Sequence, residues 1–204
     1  MRHITPILSA VISLACVLLA SRSQAAEVQV GYDFMPNGAV QLNGHPIGQS
    51  LFTFDFTGAV GPVDVGGMVE ADQDGRAGPA SDRLSAHVGK SFSAGPVILT
   101  PRLLLGYARG LDADEGLIGG ELTSFYQLAP WLSLEGAVRF RHSFAENAAP
   151  LNSAELPHIA WHELALHGGP MFQVSSKLAL GLNFERDFGT TPDVRLGSFL
   201  RLGF

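Results

Sequence analysis

The sequence contains little cysteine, little lysine and no long apolar segment after its first 25 residues. Cysteine occurs once, as Cys16, and lysine occurs twice, as Lys90 and Lys177. A single cysteine excludes an intramolecular disulfide framework. Because a spanning helix needs roughly 20 predominantly apolar residues in succession, the remainder of the chain is not predicted to cross a membrane as a helix.

The first 25 residues have the features of an export signal. A short basic start precedes an apolar run over residues 7–20, which only two serines interrupt. A signal peptide has an apolar region of about 7–15 residues, so this run suits a signal better than a spanning helix. Small residues at Ser23 and Ala25 place the cleavage after Ala25. We predict a cleaved signal peptide over 1–25; the alternative is an uncleaved N-terminal anchor.

The charge of the predicted mature chain, residues 26–204, argues against a nucleic-acid partner. Arg2 and Arg22 leave with the signal, so 11 of the 13 basic residues remain against 19 acids. Nucleic-acid binding depends on a basic surface. Cys16 leaves as well, and a chain without thiols suits passage through the oxidising periplasm.

Apolar and polar residues alternate in ten segments of the mature chain. This period of two is typical of β-strands with one apolar face. The first segment shows it with Val28, Val30, Tyr32 and Phe34 on one face. A soluble β-sandwich would alternate too, but its exposed face should be rich in charge and in lysine. The polar faces here carry few charges, nearly all of them Arg, Asp or Glu.

The connections between these segments alternate between short and long. Four short turns lie at residues 58–62, 93–96, 128–130 and 174–177. Five longer polar connections lie at residues 35–49, 73–81, 110–115, 143–157 and 186–193. Short turns on one rim and long loops on the other are typical of bacterial transmembrane barrels. We predict an all-β fold: a single antiparallel, up-and-down transmembrane β-barrel of about ten strands, with a range of 8–12.

The last nine residues, Leu196 to Phe204, resemble the closing strand of bacterial outer-membrane β-barrel proteins. Those chains typically end in Phe with apolar residues at alternate positions, and Leu200, Leu202 and Phe204 match that pattern. The resemblance implies an outer-membrane location, contact with lipid and lipopolysaccharide, and recognition of this strand by the barrel-assembly machinery. In size the chain is similar to small porins and to the OmpA, OmpX and OmpW types of barrel.

If the apolar face meets lipid, the opposite face lines the lumen. The charges and histidines predicted there are close to balanced in sign. Because unpaired buried charge is costly, we expect ion pairs between strands. The predicted lumen residues are Asp33, Asp55, Asp64, Glu70, Arg83, His87, Arg102, Glu121, Glu135, Arg139, Arg141, Glu163, His167, Glu185, Arg195 and Arg201.

Two functions fit such a lumen: a structural barrel filled by a polar plug, or a narrow porin-like channel for small solutes. A hydrolase of lipid A or peptides is a rival, since His142 and Ser143 lie near a loop. Neighbouring strand residues point to opposite faces, however, so these two cannot meet. A surface adhesin or complex partner acting through the long loops is a further alternative. No cofactor, metal site or catalytic residue is predicted.

Overall fold

In a computed structural model, the described residues are 26–35, 41–42, 45–46, 49–72, 82–109, 114–145, 162–188 and 193–204. They form a closed antiparallel barrel of ten strands, which confirms the predicted fold class. The predicted signal peptide and most residues of the long loops lie outside the described residues. The strands are β1 (Ala26–Met35), β2 (Gln49–Val60), β3 (Val63–Asp72), β4 (Asp82–Gly89, continued by Phe92–Ala94), β5 (Val97–Arg109), β6 (Asp114–Ala129), β7 (Leu132–Ala145), β8 (His162–Ser175), β9 (Leu178–Asp187) and β10 (Asp193–Gly203).

Each strand pairs with its successor in the chain, and β10 pairs with β1 to close the barrel. Val30 lies opposite Leu200 in that final ladder. Beyond it, the backbone N–H of Phe204 donates to the carbonyl oxygen of Ala26 at 2.9 Å. Closure removes the free edges that an open sheet would expose. The predicted up-and-down topology and strand number are therefore confirmed.

Strand β4 is interrupted at Lys90 and Ser91, but its register against β5 does not change. Gly89 lies opposite Arg102 and Phe92 lies opposite Leu99, so the two pieces share one register. Proline has no N–H to donate, and Pro101 lies opposite the interruption. Only one ladder bond remains there, from the Lys90 N–H to the Pro101 carbonyl oxygen at 3.3 Å.

Four two-residue turns form one rim of the barrel, which we call the short-turn rim. Gly61 and Gly95 adopt positive φ angles of 62° and 65°, which glycine reaches without a steric penalty. The opposite, long-loop rim carries the other five connections. Two strands reach further toward it than the sequence predicts, since β6 begins at Asp114 and β7 continues to Ala145. In the first long connection, Gln41–Leu42 pairs with His45–Pro46 apart from the barrel sheet.

The outer face is apolar and exposed. Leu103 is 67% exposed and Leu105 62%, values that a water-soluble surface would rarely combine. Near the short-turn rim, Trp131 stacks on Phe172 with ring centroids 6.4 Å apart. Such an apolar band with aromatic residues at its borders is typical of transmembrane barrels. Within the described ranges, no helix is long and apolar enough to cross a membrane.

Candidate functional site

The inner face of the barrel carries the charged residues that the alternation assigns to the lumen. Strand pleating places every second side chain inside. Twelve of the sixteen predicted residues line a cavity within the barrel, Arg83, Arg141 and Glu163 belong to the ion pairs around Glu70, and Asp64 lies at the short-turn mouth. They separate into two levels. Near the long-loop rim, seven of them form what we call the upper cluster: Glu70, Arg83, Arg139, Arg141, Glu163, Glu185 and Arg195.

Arg141 lies at the centre of the upper cluster. Its Nη1 donates to Glu70 Oε2 at 2.5 Å, and its Nη2 donates to Glu163 Oε2 at 2.7 Å. Arg83 Nη1 donates to the same Glu163 oxygen at 3.2 Å. A planar guanidinium can serve two carboxylates at once, which suits it to such a branched network.

A third carboxylate, Glu185, extends this network along β9 and β10. Glu185 accepts from Arg139 Nη2 at 2.9 Å and forms an ion pair with Arg195 Nη1 at 3.0 Å. Arg139 Nε also donates to Glu163 Oε1 at 3.0 Å. Three glutamates thus hold four arginines in one continuous set of contacts.

Two contacts of the upper cluster cross the lumen. Arg141 on β7 meets Glu70 on β3, and Arg83 on β4 meets Glu163 on β8. Each pair joins strands four positions apart in a ring of ten. Arg141 is 1% exposed, and Glu70 and Glu163 are each 2% exposed. The lumen is therefore filled at this level by side chains in contact.

Below the upper cluster lies a cavity of about 490 Å³ that we call the lower lumen. It reaches the short-turn rim, where Lys177 and Gly203 line it. Its charged residues at this level are Glu27, Asp55, Arg102, Glu121, Glu135, Lys177 and Arg201. Asp64 lies at the mouth beside Glu27 and Lys177, and we include it in the lower lumen.

The arginines of the lower lumen are held by carboxylates. Arg102 Nη1 lies 3.4 Å from Glu121 Oε1, on the neighbouring strand. Arg201 Nη2 donates to Glu135 Oε2 at 2.6 Å, and its Nε lies 3.0 Å from Glu27 Oε1. His167 Nε2 lies 3.4 Å from Glu121 Oε2.

Strands β2 to β5 give the lower lumen a wall rich in oxygen atoms. Thr57 Oγ1 donates to Asp55 Oδ1 at 3.2 Å and lies 3.1 Å from His87 Nε2. Ser91 Oγ donates to Asp64 Oδ2 at 2.9 Å and lies 2.9 Å from Thr100 Oγ1. Within the described part of the chain, the direct partners of these two aspartates are hydroxyl groups and not arginines.

Several inward residues do not appear in the sequence-based set. Glu27 lines the lower lumen, while Glu115 and Asp187 are buried near the long-loop rim. Strand parity could have found all three, since each lies an even number of positions from a predicted lumen residue on its strand. Phe125 and Phe199 also point inward. The sequence pattern does not indicate these two residues, because it places apolar side chains on the lipid face.

The residues of the hydrolase alternative lie on two different faces. Ser143 is 1% exposed inside the barrel, whereas His142 is exposed on the outer face opposite His162. The described part of the chain contains no group of three or more His, Cys, Asp or Glu residues arranged to hold a metal ion.

Comparison with known proteins identifies the fold. No family model matches the chain, and no curated protein matches its sequence. Among solved structures, an outer membrane channel from Pseudomonas putida F1 has a TM-score of 0.55 at 10% identity, with 88% of this chain and 95% of that chain covered. The N-terminal β-barrel domain of Pseudomonas aeruginosa OprF has a TM-score of 0.43 at 10% identity, covering 89% and 98%. The outer membrane protein Ail of Yersinia pestis has a TM-score of 0.42 at 13% identity, covering 88% and 99%.

At these identities the likeness concerns the fold alone. The chain has the closed, up-and-down β-barrel fold of bacterial outer-membrane proteins.

Proposed function

We propose that this chain is an integral β-barrel of the bacterial outer membrane, exported through the periplasm, whose lumen is closed by the upper cluster. The exposed apolar outer face supports a membrane location, since lipid is the environment that such a face requires. One observation carries the closure: Arg141 and Glu163, buried inside the barrel, hold contacts that cross the lumen to Glu70 and Arg83. Its role is then structural, and solutes do not pass through it in this state.

Planar-bilayer conductance tests this closure. The wild-type barrel is expected to be silent. The double variant Arg141→Ala/Glu163→Ala removes both crossing contacts without changing the net charge, so it is expected to show discrete openings. Wild-type openings of defined size would contradict the closure.

The control removes a charge pair that does not cross the lumen. Arg102 and Glu121 lie opposite each other on neighbouring strands. Arg102→Ala/Glu121→Ala also conserves net charge, and this variant should remain silent. For every variant, folding is checked by the mobility shift of an unboiled sample on a denaturing gel.

The second candidate is a narrow porin-like channel, and the lower lumen favours it. A cavity of about 490 Å³ already occupies part of the path through the barrel. The similar structure from Pseudomonas putida F1 is described as an outer membrane channel. Wild-type conductance would select this candidate over the closed barrel. The hydrolase and adhesin alternatives stay predictions.

We also propose that the closing strand serves as the assembly signal, read by the barrel-assembly machinery. Phe204 is 62% exposed, and its backbone continues the ladder with β1. Deleting Phe204 should reduce the folded fraction in outer membranes while export to the periplasm continues. The measurement is cell fractionation with the unboiled-gel shift. Unchanged assembly would contradict this role.

A further inference from the structure

We infer that the lower lumen is a vestibule open only at the short-turn rim, and that it admits small cations in preference to anions. This inference rests on the proposed closure for its one-sidedness. Its charge preference rests on the lower lumen alone. The two parts are therefore tested separately below.

The charge of the lower lumen is the first argument. Five carboxylates face three basic side chains there: Arg102, Arg201 and Lys177. Lys177 lies at the mouth, where Glu27 and Asp64 oppose it. Counted over these eight side chains, the lower lumen carries two net negative charges.

The distribution of contacts is the second argument. Arg102 is held by Glu121, and Arg201 by Glu27 and Glu135. Asp55 and Asp64 accept hydrogen bonds from hydroxyl groups. Among the described residues, neither aspartate has a basic nitrogen within ion-pair distance. The carboxylates without an ion-pair partner therefore lie side by side on β2 and β3.

A cavity with low-dielectric walls strengthens this effect. Such walls focus the field of one sign and raise the local concentration of the opposite ion. Carboxylates that line a pore select cations on the same principle. The lower lumen should attract small cations, including organic ammonium ions, and repel anions of equal size.

The upper cluster forms the ceiling of the vestibule. Arg139, Glu185 and Glu70 line the cavity from above and are also members of the upper cluster. A solute that enters from the short-turn rim therefore meets the crossing contacts before it reaches the long-loop rim. Entry and exit use the same mouth.

A single introduced cysteine tests the charge preference. Ile98 lines the cavity and is 41% exposed, and the predicted mature chain has no other cysteine. Ile98→Cys is reacted with a trimethylammonium-bearing methanethiosulfonate and with a sulfonate-bearing one of similar size. Relative to N-acetylcysteine in solution, we expect the cationic reagent to be favoured roughly tenfold, because the field of the carboxylates raises the local concentration of cations. Equal relative rates would overturn the preference.

Removing the charges of Asp55 and Asp64 tests whether these two residues cause the charge preference. In the Ile98→Cys background, Asp55→Asn/Asp64→Asn should bring the rate ratio close to that of N-acetylcysteine. Asp187→Asn makes the same chemical change above the upper cluster and should leave the ratio unchanged. Should the double variant fail to fold, 1 M salt applied to Ile98→Cys alone provides the test, because it reduces the Debye length to about 3 Å. A ratio that survives both treatments would contradict the inference.

Oriented vesicles test the one-sidedness. A membrane-impermeant reagent should modify Ile98→Cys from the short-turn side and not from the long-loop side. Modification from both sides would disprove the closure while the rate ratio still reports the charge preference. Modification from neither side would show that no open vestibule exists.

Discussion

The upper cluster and the lower lumen use the same residue types, but their charge pairs join different strands. In the upper cluster, Arg141–Glu70 and Arg83–Glu163 join strands four positions apart and so cross the barrel. In the lower lumen, Arg102–Glu121 joins immediate neighbours and runs along the wall. The strands that a pair connects, more than the number of charges, determine whether a lumen is filled at that level.

One ion pair of the lower lumen spans an intermediate number of strands. Arg201 on β10 meets Glu135 on β7, three strands away. It closes off the side of β7 to β10 and leaves the wall of β2 to β5 uncrossed. Among the described residues at this level, no long side chain on that wall has a partner on the opposite side, so the cavity persists.

The ion pairs of the two levels also differ in how much they contribute to stability, because those of the upper cluster are more deeply buried. Removing one partner of a buried ion pair costs about 3–5 kcal/mol, because the other charge stays in a poorly solvated place. An ion pair that water can reach contributes about 0–1 kcal/mol, since water solvates either partner alone. Stability should therefore depend on the upper cluster far more than on the pairs of the lower lumen.

The largest expected effect comes from Arg141→Ala. This change leaves Glu70 and Glu163 buried without the arginine that contacts both. We expect the free energy of unfolding to fall by about 3–5 kcal/mol. The measurement is equilibrium unfolding in urea with the barrel in lipid vesicles.

Arg102→Ala is the matched control for that measurement. The Arg102 side chain is 21% exposed and pairs with Glu121 at 3.4 Å. Glu121 is 9% exposed, but it keeps its contact with His167 Nε2 at 3.4 Å when Arg102 is removed. Its loss should cost about 1 kcal/mol or less. Similar losses for the two variants would mean that the upper and lower levels do not differ in energy as their burial indicates.

Much of this fold could be predicted from the sequence because a barrel strand repeats a local rule. Alternation identified ten strands, and the same parity directed Glu70, Arg83 and Asp55 into the lumen. The lengths of the connections assigned each to a rim. Each of these inferences needs only neighbouring residues along the chain.

Which arginine meets which glutamate could not be predicted, because it depends on how the ring of strands closes. Glu70 and Arg141 are 71 positions apart in the chain, and their contact follows from register and strand tilt summed over four strands. Phe199 was also missed. It shares the inward face of β10 with Arg201, and its ring lies over Gly181, directly opposite on β9. A search for polar residues on that face does not find an apolar side chain.

Alanine substitutions at two glycines, one at each level, should change the free energy of unfolding less. A Cβ added at Gly197 would overlap the Asp33 carboxylate and lie 2.8 Å from the backbone carbonyl oxygen of Tyr32. Because the backbone cannot shift without disturbing the strand pairing, Gly197→Ala should lower the free energy of unfolding by about 1–3 kcal/mol.

At Gly181 the added atom would meet only the ring of Phe199 among its nearest contacts. That ring borders the cavity and can rotate into it, so Gly181→Ala should cost less than about 1 kcal/mol. Urea unfolding of both variants measures the difference, and equal losses would show that the lower lumen is as tightly packed as the level above it.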